Sequence, residues 1–205
     1  FSLCSSQLLT TMLSVSGRAP GSVEDWVTPR RFIPSRRRIV GVAAGLRHWM
    51  LRTADGDVIL FDARQAKAQA TLVRSLAIER LLSGGAGTGR RAITSIACGA
   101  DHSLALSADG ALFTWGDGGF GCLGHGDLAN DEGEVKVPRL VVALSSHRVL
   151  SISASGRHCA CVVAGDQHGS RGGSVWTWGR GNNGRLGHGS ATPSDASAVE
   201  VAPLR

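Results

Sequence analysis

Residues 96–127 read IACGADHSLALSADGALFTWGDGGFGCLGHGD, and this stretch decides the fold. Residues 93–98 and 102–107 each suit a short strand, with Gly99-Ala100-Asp101 turning the chain between them. His102, Leu104 and Leu106 then fall on one face and Ser103 and Ala105 on the other, the period of two that a strand imposes. Ala108-Asp109-Gly110 reads as a hairpin turn, because Asp-Gly tolerates the positive φ of tight hairpins. A third strand is predicted over residues 111–115 and a fourth near 136–142, with a glycine-rich loop over 116–126 between them.

The unit recurs. Val42-Ala43-Ala44-Gly45-Leu46-Arg47-His48 and Ile152-Ser153-Ala154-Ser155-Gly156-Arg157-His158 align with Ile96-Ala97-Cys98-Gly99-Ala100-Asp101-His102, at spacings of 54 and 56 residues. Leu112-Phe113-Thr114-Trp115-Gly116 is echoed by Val175-Trp176-Thr177-Trp178-Gly179, and Gly121-Cys122-Leu123-Gly124-His125-Gly126 by Gly184-Arg185-Leu186-Gly187-His188-Gly189. The third copy has a longer polar hairpin, Gly165-Asp166-Gln167-His168-Gly169-Ser170-Arg171-Gly172-Gly173. The first copy keeps only its front half, with Leu60-Phe61-Asp62-Ala63-Arg64 where Thr-Trp-Gly is expected. Four antiparallel strands repeated about every 55 residues are what a propeller blade requires.

These motifs resemble the repeat of the RCC1 family, the regulators of chromosome condensation, over roughly residues 26–205. The middle copy carries almost every family position, and Ser155 of the third stands where a glycine is usual. The resemblance implies an all-β fold, about three blades of a seven-bladed propeller. Its parts would be an N-terminal segment (1–25), a degenerate repeat with an insertion (26–92), a complete repeat (93–148) and a repeat with an extended hairpin (149–205). The last copy is expected to stop inside its fourth strand, near Pro203-Leu204-Arg205.

The composition agrees with such a chain. Hydrophobic residues make up 42% and charged residues 19%, too apolar for disorder, and 28 glycines in 205 residues call for many tight turns. The net charge of +6 is compatible with an acidic protein surface or chromatin and does not choose between them. Five cysteines without framework spacing argue for free thiols and an intracellular site, cytoplasmic or nuclear. No apolar run reaches the roughly 18 residues of a membrane span.

His48, His102 and His158 invite a catalytic or metal reading, yet they recur with the fold and are better read as imidazoles bonded to the turn just before them. The structural positions are Gly45, His48, Gly99, His102, Trp115, Gly116, Gly121, Leu123, Gly124, His158, Trp178, Gly179, Gly184, Leu186 and Gly187. Trp115 and Trp178 should pack between blades, and His125 and His188 should cap their loops. Cys159 and Cys161 lack zinc spacing and suit a core. Residues 63–82, free of Gly and Pro, read as a helical insertion or a degenerate blade edge. Gly84-Gly85-Ala86-Gly87-Thr88-Gly89-Arg90 fails the context of a phosphate loop. Arg30-Arg31 and Arg36-Arg37-Arg38 suit protection of an outer strand, with phosphate or an acidic protein as the alternative.

No nucleophile–base pair, carboxylate pair or metal set stands out, so the expected function is a non-enzymatic interaction scaffold with no cofactor. Partner contacts are expected at the variable tips, at Asp131 and Glu132 in one and Asp166, His168 and Arg171 in the other. The resemblance offers two roles: nucleotide exchange on a small GTPase such as Ran, or partner binding within a larger protein such as a HECT-type ubiquitin ligase.

Overall fold

The computed structural model describes residues 38–62, 71–73, 92–126, 134–165, 173–189 and 194–200. They form three four-stranded antiparallel sheets, each built from strands consecutive in sequence. Sheet 1 holds β1 (Ile39–Ala44), β2 (His48–Thr53), β3 (Val58–Asp62) and β4 (Thr71–Val73); sheet 2 holds β5 (Ile93–Cys98), β6 (His102–Ser107), β7 (Leu112–Asp117) and β8 (Glu134–Leu140). Sheet 3 holds β9 (Val149–Ser155), β10 (His158–Val163), β11 (Ser174–Arg180) and β12 (Ser194–Glu200). This is part of a β-propeller, with one blade per sequence repeat.

The blades stack through their faces, and β6 shows why. Ala105, with Phe113 and Trp115 of β7, packs toward Met50 and Val58 of sheet 1. Leu104, Leu106 and Leu112 pack the other way, against Cys159, Cys161, Val163 and Trp178 of sheet 3. The alternation predicted along β6 therefore separates two buried faces, and all six of its residues are buried. Burial of a side chain such as Leu104 or Phe113, both at 0% exposure, is worth about 2–3 kcal/mol each.

Backbone bonds repeat at each joint. Leu46 N–H donates to Ala100 carbonyl (2.9 Å) and Ala100 N–H to Gly156 carbonyl (2.7 Å), all three lying two residues before a repeat histidine. At the opposite end, Ile93 N–H donates to Gly56 carbonyl and Val149 N–H to Gly110 carbonyl, both at 3.1 Å, so each hairpin tip holds the first strand of the next blade. Ser107 fixes the hairpin in sheet 2, accepting from Ala111 N–H (3.1 Å) and donating to Ala111 carbonyl (2.9 Å).

Several boundaries differ from expectation. In the middle copy the third strand runs two residues further, to Asp117, and the fourth spans Glu134–Leu140. Within the stretch read as helical, Thr71–Val73 is a strand, with Val58 opposite Val73 and Leu60 opposite Thr71. The open edge of β3 offers ladder bonds that outweigh local helix propensity, so the blade-edge reading describes these residues. The fourth strand of the third copy is formed over Ser194–Glu200, ahead of Pro203-Leu204-Arg205. Arg30, Arg31, Arg36 and Arg37, the glycine run 84–90 and residues 1–25 lie outside the described residues.

Candidate functional site

The repeat histidines sit at the starts of β2, β6 and β10, where the preceding turn brings the chain back against the sheet. The His102 ring lies over Gly99 so closely that a Cβ there would come within 2.0 Å of its Cε1. The imidazole does more than brace its own turn. His102 Nε2 lies 3.0 Å from Cys159 Sγ in sheet 3, and His48 Nε2 lies 3.0 Å from Ser103 Oγ in sheet 2. Each reaches the residue that follows the next blade's histidine. The sequence expected a bond to the preceding turn; the Nε2 atoms of His48 and His102 reach the next sheet. In the third copy Ser155 replaces the glycine, and His158 is half-buried with Nδ1 meeting no hydrogen-bond partner.

A cysteine 3.0 Å from a histidine is also the arrangement of a nucleophile and its base, so its electrostatics decide. Such a pair needs a depressed thiol pKa and an accessible sulfur. Here burial pushes the Cys159 thiol up, neighbouring Cys122 and Cys161 add to that, and Cys159 has 0% exposure. Burial likewise pushes His102 down to about 4, with His48 lowering it further. Both groups are held neutral. The pair is a structural joint. Among the described residues no group of three metal-ligating side chains comes together.

The tryptophans complete the joints. Trp178 Nε1–H donates to the backbone carbonyl of Cys122 in sheet 2 (3.0 Å), an oxygen that also receives the Cys159 thiol (3.4 Å). Its indole lies against Gly124, where a Cβ would stand 2.9 Å from Nε1. Thr114 holds this glycine loop in place: its hydroxyl donates to Leu123 carbonyl (2.7 Å) and bonds His125 Nε2 (2.9 Å). Thr177 repeats both bonds with Leu186 (2.7 Å) and His188 (2.8 Å). His125 and His188 thus close their loops. Cys161 is buried in the core between sheets 2 and 3.

With the repeat residues occupied in joints, the distinctive surface is at the loop end of the sheets. Phe120 occupies a left-handed backbone conformation (φ 64°) that costs a bulky side chain energy; the third copy has Asn183 there at the same φ. Its ring is 39% exposed and lies under two guanidinium groups, Arg157 at 5.3 Å and Arg180 at 5.1 Å. Asp117 faces Arg157 at 3.9 Å. This cluster escaped sequence reasoning; the one available signal was Phe aligned with Asn in the loop.

The predicted contact residues Asp131, Glu132, Asp166, His168 and Arg171 lie outside the described residues. Their flanks are informative nonetheless. β7 ends and β8 begins at the end of the sheet that carries the repeat histidines, whereas β10 ends and β11 begins at the opposite end.

The comparisons with known proteins agree with this geometry. Residues 109–162 and 172–200 match the family model described as Regulator of chromosome condensation (RCC1) repeat, and 93–122 match a second model of that description. The chain is 34% identical to the human E3 ubiquitin-protein ligase HERC2 over 162 residues, 74% of this chain and 3% of that one. It is 31% identical to the zebrafish (Danio rerio) serine/threonine-protein kinase Nek8 over 167 residues, 78% of this chain and 22% of that one. The structure superposes on Prp20p of Saccharomyces cerevisiae with a TM-score of 0.66 at 20% identity, covering 93% of this chain and 44% of that one. The chain thus spans a small part of the curated relatives it matches. Among the described residues no helix is long and apolar enough to cross a membrane. With the family model matched by its repeats and with His48, His102 and Trp178 bonding from blade to blade, the chain belongs to the RCC1-repeat family.

Proposed function

We propose that this chain is a non-enzymatic protein-binding module whose loop end docks an acidic partner. The carrying observation is Phe120, exposed in a costly backbone conformation between Arg157 and Arg180. Strain of this kind, about 1–3 kcal/mol, persists where function requires it, and aromatic and Arg side chains dominate binding hot spots. Two partners fit: the target of a larger protein of the HERC2 kind, or an acidic chromosomal surface. Four buried cysteines held as free thiols support a reducing compartment, cytoplasm or nucleus.

The test is a variant carrying Phe120→Asn, Arg157→Gln and Arg180→Gln, compared with the unchanged chain in quantitative partner capture. Partners captured by the unchanged chain should fall at least tenfold while the fold, read by circular dichroism, persists. An unchanged partner set would contradict the reading.

A second reading, nucleotide exchange on a small GTPase, is favoured by the likeness to Prp20p, a protein described by its binding to Gsp1p and histones. Acceleration of GDP release from a panel of small GTPases is its assay. No acceleration by the full-length protein would remove it and leave the binding reading intact.

A further inference from the structure

Around Phe120 the charges do not close as they do between sheets 1 and 2. Arg47 and Asp101 stand just before His48 and His102, and they pair at 2.7 Å. The same position in the third repeat is Arg157, which Asp117 faces at the longer distance of 3.9 Å. The loop holds this pair in place. Gly119 N–H donates to Asp117 Oδ1 (2.8 Å), and a Cβ on Gly119 would stand 2.5 Å from Arg157 Nη1. Gly179 stands opposite His158 as Gly116 stands opposite His102, so Arg180 takes the register position of Asp117. A second guanidinium thus comes to the Phe120 ring, 5.1 Å from its centroid, where the middle repeat has a carboxylate. Among the described residues Arg180 meets no carboxylate, and its Nε–H is sealed from water with no acceptor. Stacking on a ring leaves the in-plane donors of a guanidinium unmet, and a sealed donor of a charged group without an acceptor is costly.

We propose that Arg180 takes a carboxylate side chain of an acidic partner peptide. The end of the Arg180 side chain turns to bring its Nε–H edge to the peptide. The carboxylate then accepts the Nε–H and one Nη–H side by side, a paired geometry that arginine offers and lysine does not. Arg157 stays on Asp117 and supplies the second positive charge. A single carboxylate fits better than a phosphoryl dianion, because Asp117 offsets one of the two guanidinium charges and leaves one to be met. The inference rests on the partner-binding reading and adds to it which group of the partner is read, and by which arginine.

The probe is a capped peptide of alternating alanine and glutamate, titrated into the full chain labelled with nitrogen-15. The same peptide with glutamine, and with phosphoserine, in place of glutamate is titrated beside it. The Arg180 Nε–H signal should shift downfield with the glutamate peptide and stay in place with the glutamine one. Arg180→Lys keeps the charge and loses the fork, and should weaken glutamate-peptide binding about tenfold, as expected for one lost charge-assisted hydrogen bond. Arg185→Lys, at an exposed arginine, should leave that binding unchanged. An Arg180 signal unmoved at millimolar glutamate peptide, equal binding by the Arg180→Lys variant, or tighter binding of the phosphoserine peptide would overturn the proposal. Should Arg180→Lys unfold, the Arg180 signal of the unchanged chain decides by itself. If the triple variant at Phe120, Arg157 and Arg180 loses its captured partners while glutamate leaves the Arg180 signal unmoved, the partner-binding reading stands and only this inference fails.

Discussion

The two blade joints use one plan with different degrees of completion. Between sheets 2 and 3, Trp178 and Cys159 both donate to the carbonyl of Cys122, His102 bonds the Cys159 sulfur, and Thr114 anchors the loop that carries Cys122. Between sheets 1 and 2 the joint is carried by the His48–Ser103 bond, the Arg47–Asp101 ion pair at 2.7 Å and the paired backbone bonds. Sheet 1 compensates within itself: Phe61 occupies the tryptophan position and stacks on Trp49 at 3.9 Å and 3°. Trp49 in turn stands where Ser103 and Cys159 accept a neighbour's imidazole. Within sheet 1, aromatic volume thus stands on both strands of the pair.

Truncating the two tryptophans should break the comparison most sharply. Trp178→Ala removes a ring with 0% exposure and should cost about 3–5 kcal/mol in denaturant unfolding. Trp178→Phe should still cost about 1–2 kcal/mol, because the Cys122 carbonyl loses its best donor. Trp115→Phe should cost less than half of that. Equal costs for the two Phe variants would mean that the joints are energetically alike.

Acid should act on the complete joint. His102 titrates near 4 in the folded chain, against an ordinary value of 6.5, so the unfolded chain binds more protons between these values. Its contribution is then fully present above pH 6.5 and is lost as pH falls toward 4, by about 3 kcal/mol in all. His102→Gln should flatten that part of the stability curve. An unaltered slope would show that His102 is not the group responsible.

Phe120→Asn gives the smallest effect and the opposite sign. Relief of the left-handed strain should raise stability by up to about 1 kcal/mol, the direction set by Asn183 in the third copy. A loss of stability would mean that the Phe120 ring contributes more to the fold than its exposure indicates.

Much of this was legible in the residues. His48, His102 and His158 marked the period, Asp109-Gly110 marked a hairpin, and the alternation along residues 102–107 marked a strand. The partners of those histidines were not legible, because Cys159 and Ser103 lie 57 and 55 residues away and carry no motif of their own. Thr71–Val73 was hidden by a helix-favouring local sequence, since only the open edge of β3 makes it a strand. Phe120 looked like one more loop residue until its φ and its two arginines were seen.

The repeat-borne polar residues hold blade to blade, and a double-mutant cycle on His102→Ala and Cys159→Ala, followed by equilibrium unfolding, measures that hold. The two substitutions should be non-additive, with a coupling of about 1 kcal/mol for the buried bond at 3.0 Å. Additive costs would contradict it.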